Sequence, residues 1–125
     1  MRKLIALLLA VVTVVTTLSI TAFARSNQIR GYVNGKEWTA RHTVYDTYAD
    51  CTILYDGNSD VSVQMTTKYF QITKPTNKYT KTTADEAYRC AGCTFFASFG
   101  YEIECSTAYV LVVNGGTTRK IITTP

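Results

Sequence analysis

Apolar and polar residues alternate along most of the chain after residue 24, in short runs separated by turn residues. A period of two sends successive side chains to opposite faces of a pleated strand. The first such run is Ile29 to Val33, followed by Asn34-Gly35 and then Lys36 to Tyr45. Asn-Gly between two strand-like runs predicts a tight hairpin, because both central residues of a type I′ turn need positive φ. In the second run Trp38, Ala40, His42 and Val44 fall on one face. Cys51, Ile53 and Tyr55 share a face in the next run, which ends at the polar turn Asp56 to Asp60. Val61 to Ile72 alternates cleanly, with Val63 and Met65 on the apolar side.

Thr73 to Thr83 reads as a lysine-rich loop or irregular edge, since Pro75 cannot donate a ladder hydrogen bond. Ala84 to Arg89 reads as one helical turn or the start of a strand. From Cys93 to Cys105 every second residue is apolar, through Phe95, Ala97, Phe99, Tyr101 and Ile103. Phe96 is the large apolar residue on the opposite parity, and Gly100 marks a turn or bulge. Tyr109 to Val113 is apolar on both faces and should be a central strand. Asn114-Gly115-Gly116 turns the chain into a last strand, Thr117 to Thr124. Roughly seven or eight short strands and no helix predict an all-β fold, a small antiparallel β-sandwich.

The first 24 residues stand outside that pattern. Arg2 and Lys3 precede an apolar stretch, and Ala22-Phe23-Ala24 has the small-residue form of a cleavage site. The expectation is a secretory signal peptide at 1–24 and a single all-β domain at 25–125. Loss of Arg2 and Lys3 lowers by two a formal charge of only +4. Such a balance gives no argument for nucleic acid. After signal cleavage no membrane association is expected. Charge is segregated locally: Asp46, Asp50, Asp56 and Asp60 precede a window holding Lys68, Lys74, Lys78 and Lys81. All nine tyrosines follow residue 24, and aromatic and β-branched residues suit half-buried strands.

Four cysteines, Cys51, Cys90, Cys93 and Cys105, raise three chemistries. A redox C-x-x-C needs a helix N-terminus to stabilise its thiolate, but Cys90-Ala91-Gly92-Cys93 runs into strand-like residues. A Cys₄ zinc site wants a second close pair, whereas Cys51 and Cys105 stand alone. Two disulfides fit an exported chain of this size. The favoured pairing joins Cys93 to Cys105 across a turn at Ser98 to Tyr101 and Cys51 to Cys90. The alternative joins Cys90 to Cys93 and Cys51 to Cys105.

Asp85-Glu86-Ala87-Tyr88-Arg89-Cys90 resembles the tyrosine-corner segment of immunoglobulin domains, in which a Tyr sits two residues before a Cys. The resemblance covers these six residues and implies an immunoglobulin-like sandwich in general architecture. Trp38 departs from the family pattern by preceding Cys51.

Other constellations carry less chemistry. Asp56-Gly57-Asn58-Ser59-Asp60 has the alternating oxygen rhythm of a calcium loop, yet Val61 and Thr67 occupy the glycine and acid positions. His42, the single histidine, lies on an apolar face. Glu102 and Glu104 are same-face carboxylates about 7 Å apart, as on any strand. No catalytic residue, cofactor or metal is assigned. The best contact surface is Tyr69, Lys74, Lys78, Tyr79 and Lys81, where lysines and aromatics could meet an extracellular protein or glycan. The expected function is a secreted, non-enzymatic binding module for a cell-surface, cell-wall or extracellular partner. The alternative is a secreted antimicrobial or inhibitory effector, followed by a self-associating coat component or a C-x-x-C redox or zinc protein.

Overall fold

The computed structural model describes residues 25–113 and 118–124. The expected signal peptide and the Asn114-Gly115-Gly116 turn lie outside the described residues. Eight strands follow one another: β1 (Arg25–Val33), β2 (Lys36–Val44), β3 (Tyr48–Tyr55), β4 (Asp60–Gln71), β5 (Lys74–Tyr88), β6 (Cys90–Phe96), β7 (Tyr101–Val112) and β8 (Thr118–Thr124). They form two antiparallel four-stranded sheets. Sheet A has the order β1-β2-β3-β6 and sheet B the order β5-β4-β7-β8. No helix occurs among the described residues, so the all-β sandwich expectation holds.

The period-two pattern decides what is inside. Trp38, Ala40, His42 and Val44 are buried from β2, and Cys51, Ile53 and Tyr55 from β3. Sheet B answers with Val61, Val63 and Met65 from β4 and Ala108, Val110 and Val112 from β7, with Ile122 from β8. Each fully buried aliphatic chain contributes about 1.5–3 kcal/mol relative to exposure, which is the main support of the fold. Asn34 and Gly35 adopt φ of 52° and 75°, as the hairpin between β1 and β2 requires. β7 lies between β4 and β8, the central place expected of its apolar C-terminal half.

The flanks are closed by side chains. Asn27 Nδ2 donates to the Thr123 carbonyl at 3.1 Å, joining β1 to β8. Gly92 N donates to Asp85 Oδ2 at 3.0 Å, joining β6 to β5. Between these last two strands the chain crosses sheets through Arg89, at φ 67°. Arg89 N donates to the Ser59 carbonyl, and its own carbonyl accepts from Tyr55 N.

Of the two readings of Thr73 to Thr83, loop or irregular edge, the edge holds: Thr73 closes the β4–β5 turn, and Lys74 to Thr83 are the first part of β5, the edge of sheet B. One side of β5 pairs with β4 and the other faces water, so lysine and threonine suit it. Ala84 to Tyr88 completes the same strand. The expected apolar face from Cys93 to Cys105 is not continuous. Residues 97–100 break it, and a register shift at Lys68/Tyr69 leaves Glu104 as an extra residue on β7. Ile103 therefore points in while Cys105 points out. Finally, the strand order is not that of an immunoglobulin domain. Tyr88 is exposed, and its hydroxyl donates to Asn58 Oδ1 at 3.1 Å.

Candidate functional site

The turns β2–β3, β4–β5 and β6–β7 meet at one end of the sandwich. Ile72 N donates to the Gly100 carbonyl, Ala97 N to the Thr47 carbonyl and Ile103 N to the Asp46 carbonyl. These bonds bring together aromatic residues that are far apart in sequence. Tyr69 and Tyr79 are register partners on β4 and β5, and their rings stack at 5.5 Å between centroids. Tyr101 meets both edge-on at 5.9 Å. Phe95 packs on Tyr69 at 5.0 Å. On the sheet A side Tyr45, Tyr48 and Phe96 form a second group, with Tyr48 and Phe96 centroids 5.0 Å apart.

Part of this cluster faces solvent. Phe96 is 72% exposed and Phe99, at the tip of the β6–β7 turn, is fully exposed. Tyr45, Ile72 and Tyr79 are exposed as well. A cleft of about 220 Å³ opens between Tyr69, Tyr79, Ser98 and Tyr101. Exposed apolar surface concentrated at one pole costs solubility unless something uses it. A second hollow, about 380 Å³, lies on the outer face of sheet A and includes Gln28, Arg41, Leu54 and Cys90. Its floor is an ordinary strand face.

The lysines of this pole are partly engaged. Lys78 Nζ donates to Glu104 Oε1 at 2.8 Å, and Lys68 Nζ lies 3.6 Å from Oε2. The hydrogen bond from Lys78 is the main cause that holds the Glu104 carboxyl below its ordinary range. The bulge on β7 is what turns Glu104 toward both lysines. Lys74 pairs with Gln71 at the hairpin end, and Lys81 lies opposite Thr67. The acidic window forms no single pole. Asp46 and Asp50 lie near the aromatic end, whereas Asp56 and Asp60 belong to the β3–β4 turn at the other.

Of the five residues expected to form a contact surface, Tyr69 and Tyr79 sit at the heart of this pole, with Lys78 beside them. Lys74 and Lys81 flank them on β5. Sequence reasoning missed Tyr45, Tyr48, Phe96, Phe99 and Tyr101, which join the pole only through the turns. Phe96 alone gave a signal, as a bulky apolar residue at a polar parity.

The four cysteines are unbridged in this structure. Neither expected pairing scheme has facing side chains. Cys90 and Cys93 lie three apart on β6 and so point to opposite faces, Cys90 exposed and Cys93 buried. Cys105 is exposed on β7, in the other sheet from Cys93. The thiols therefore do not converge on a common point, and no cluster of three or more metal-ligating side chains occurs among the described residues.

His42 is fully buried, and its Nε2 lies 2.9 Å from Ser106 Oγ, which in turn lies 3.3 Å from Thr67 Oγ1. Burial lowers the imidazole pKa from its ordinary 6.5, outweighing the Ile122 backbone and the Asp50 charge. This network is sealed between the sheets and offers no substrate access.

No protein-family model matches the chain, and no curated protein does. Among the solved structures that match, the X-ray structure of Northeast Structural Genomics Consortium target SoR45 aligns over 82% of this chain and 80% of its own. Its identity is 9% and its TM-score 0.26, too slight a likeness to carry an argument.

Proposed function

We propose that this protein is a secreted, non-enzymatic binding module that grips an extracellular glycan or cell-wall polymer with its aromatic pole. The observation that carries this reading is a solvent-open cleft between Tyr69, Tyr79 and Tyr101 at an end of the sandwich that also exposes Phe96, on the outer face of sheet A, and Phe99, on the β6–β7 turn. Aromatic rings offer apolar faces to the C–H faces of sugar rings, and tyrosine hydroxyls add hydrogen bonds at the rim. Such side chains also lose little conformational entropy when they bind. The engagement of Lys78 and Lys68 by Glu104 weakens the case for a strongly anionic ligand. The leader-like first 24 residues support an extracellular setting.

The test is retention of the protein on insoluble cell-wall polysaccharide. Replacing Phe96 and Phe99 together with alanine should weaken retention by about tenfold or more, since such anchors dominate binding energy. Both side chains lie largely outside the core, so the variant should fold. Undiminished retention would remove the aromatic pole from the reading. A greater loss from Lys78→Glu with Lys81→Glu would instead identify an anionic polymer.

A further inference from the structure

We infer that Cys51 and Cys93 are an intrachain disulfide pair, and that Cys90 and Cys105 remain single thiols on the two outer faces of the sandwich. Strand geometry selects this pair from the six that four cysteines allow. Cys51 on β3 and Cys93 on β6 are direct register partners in neighbouring antiparallel strands. Both side chains point into the core. Every other combination includes Cys90 or Cys105, and both of these face outward, one from each sheet. Cys90 stands opposite Leu54, and Cys105 opposite Lys68. A bridge from either to a core cysteine would have to pass through a sheet.

The spacing is suitable. Tyr55 N donates to the Arg89 carbonyl, and Ala97 N to the Thr47 carbonyl. These bonds flank the β3–β6 ladder, and alternation places Cys51 and Cys93 at a backbone-bonded pair. Such pairs have Cα atoms about 5.5 Å apart, inside the roughly 4.4–6.8 Å that a disulfide spans, and their Cβ atoms, up to about 5.5 Å apart, must draw in by about 1 Å to bond. Burial pushes the Cys51 thiol up to about 12, and the neighbouring Cys93 adds to that shift. A thiol so rarely ionised reacts slowly, so the bond forms before the sheets close. The oxidant is a small-molecule or protein disulfide. One cysteine thiolate attacks it and releases a thiol, giving a mixed disulfide. The second cysteine then displaces the other thiol. Two protein thiols are oxidised by two electrons and one external disulfide is reduced to two thiols.

The full chain is refolded in mixed reduced and oxidised glutathione, then denatured and alkylated without reductant. The Cys90→Ser, Cys105→Ser variant keeps both core cysteines and changes only outward positions. Its intact mass should lie two hydrogens below the reduced value, with no alkylated thiol. The Cys93→Ser, Cys105→Ser variant should stay open, with two thiols alkylated. In the unsubstituted chain, chymotryptic fragments should link the peptide containing Cys51 to the one that holds both Cys90 and Cys93, leaving Cys105 unlinked, and the two double variants separate Cys93 from Cys90. Two alkylated thiols in the first variant, a closed bridge in the second, or a link from Cys51 to the Cys105 peptide would each overturn the pairing. Retention on polysaccharide is a separate readout, so failure here leaves the binding reading untouched.

Discussion

Gly31 shows how far a single missing methylene can matter in this fold. It faces Trp38 across the β1–β2 ladder, and the buried indole lies over it. A Cβ at residue 31 would stand 2.5 Å from the ring carbons of Trp38. The indole cannot retreat, because it is itself 1% exposed within the core. Gly31→Ala should therefore destabilise the protein by about 1–3 kcal/mol, the usual cost of overpacking. Urea denaturation followed by Trp38 fluorescence checks this, and an unchanged midpoint would show that the ring has room. Gly57 has a similar role beneath the ring of Tyr55, whose hydroxyl donates to the Val33 carbonyl at 2.8 Å.

At the scale of elements, turns and bulges decide where side chains go. The Asn34-Gly35 turn sets the β1–β2 register, and with it the burial of Trp38 and the inward face of β1. Gly35 adopts φ 75°, with no atom near enough to contact an added Cβ. Gly35→Ala should thus cost about 1–2 kcal/mol through backbone strain alone. Equilibrium unfolding measures that cost, and a neutral result would mean the turn changes type. The β7 bulge has a wider consequence. It reverses the parity of the strand after Ile103, so Cys105 leaves the core and Glu104 reaches Lys68 and Lys78. Without that extra residue Cys105 would share the inward face of Ile103.

The molecule is a sandwich whose buried polar side chains among the described residues are His42, Thr67, Ser106 and Thr124, the first three joined in one network. Its stability should therefore depend on pH in one direction. The folded imidazole has a pKa below 6.5, so the unfolded chain takes up the proton first as pH falls. This contribution is complete above about pH 6.5 and declines below it, by at most about 1.4 kcal/mol per pH unit for one proton. Urea midpoints measured between pH 7.5 and 5 should fall accordingly, and a flat profile would mean that His42 gains a proton without cost in the core. The same scale explains the aromatic pole. Three turns from different parts of the chain share one end, so residues as distant as Tyr45 and Tyr101 border one surface.

Alternation by itself determined the all-β class, the inward faces of β2, β3 and β4 and the Asn34-Gly35 hairpin. These are local consequences of a period of two and of the φ values that particular residues tolerate. The turn at Gly100, with φ 90°, was legible for the same reason. Half of the contact surface was also readable, because Tyr69, Lys78 and Tyr79 are close in sequence. Tertiary structure alone decided the rest. Which strands share a sheet depends on packing between distant segments, so β6 left its sequence neighbour β7 and paired with β3. That choice set Cys93 against Cys51 and undid the hairpin on which the pairing with Cys105 relied. The pole's missing aromatics were hidden for the same physical reason, since the residues that assemble it meet only once both sheets have packed.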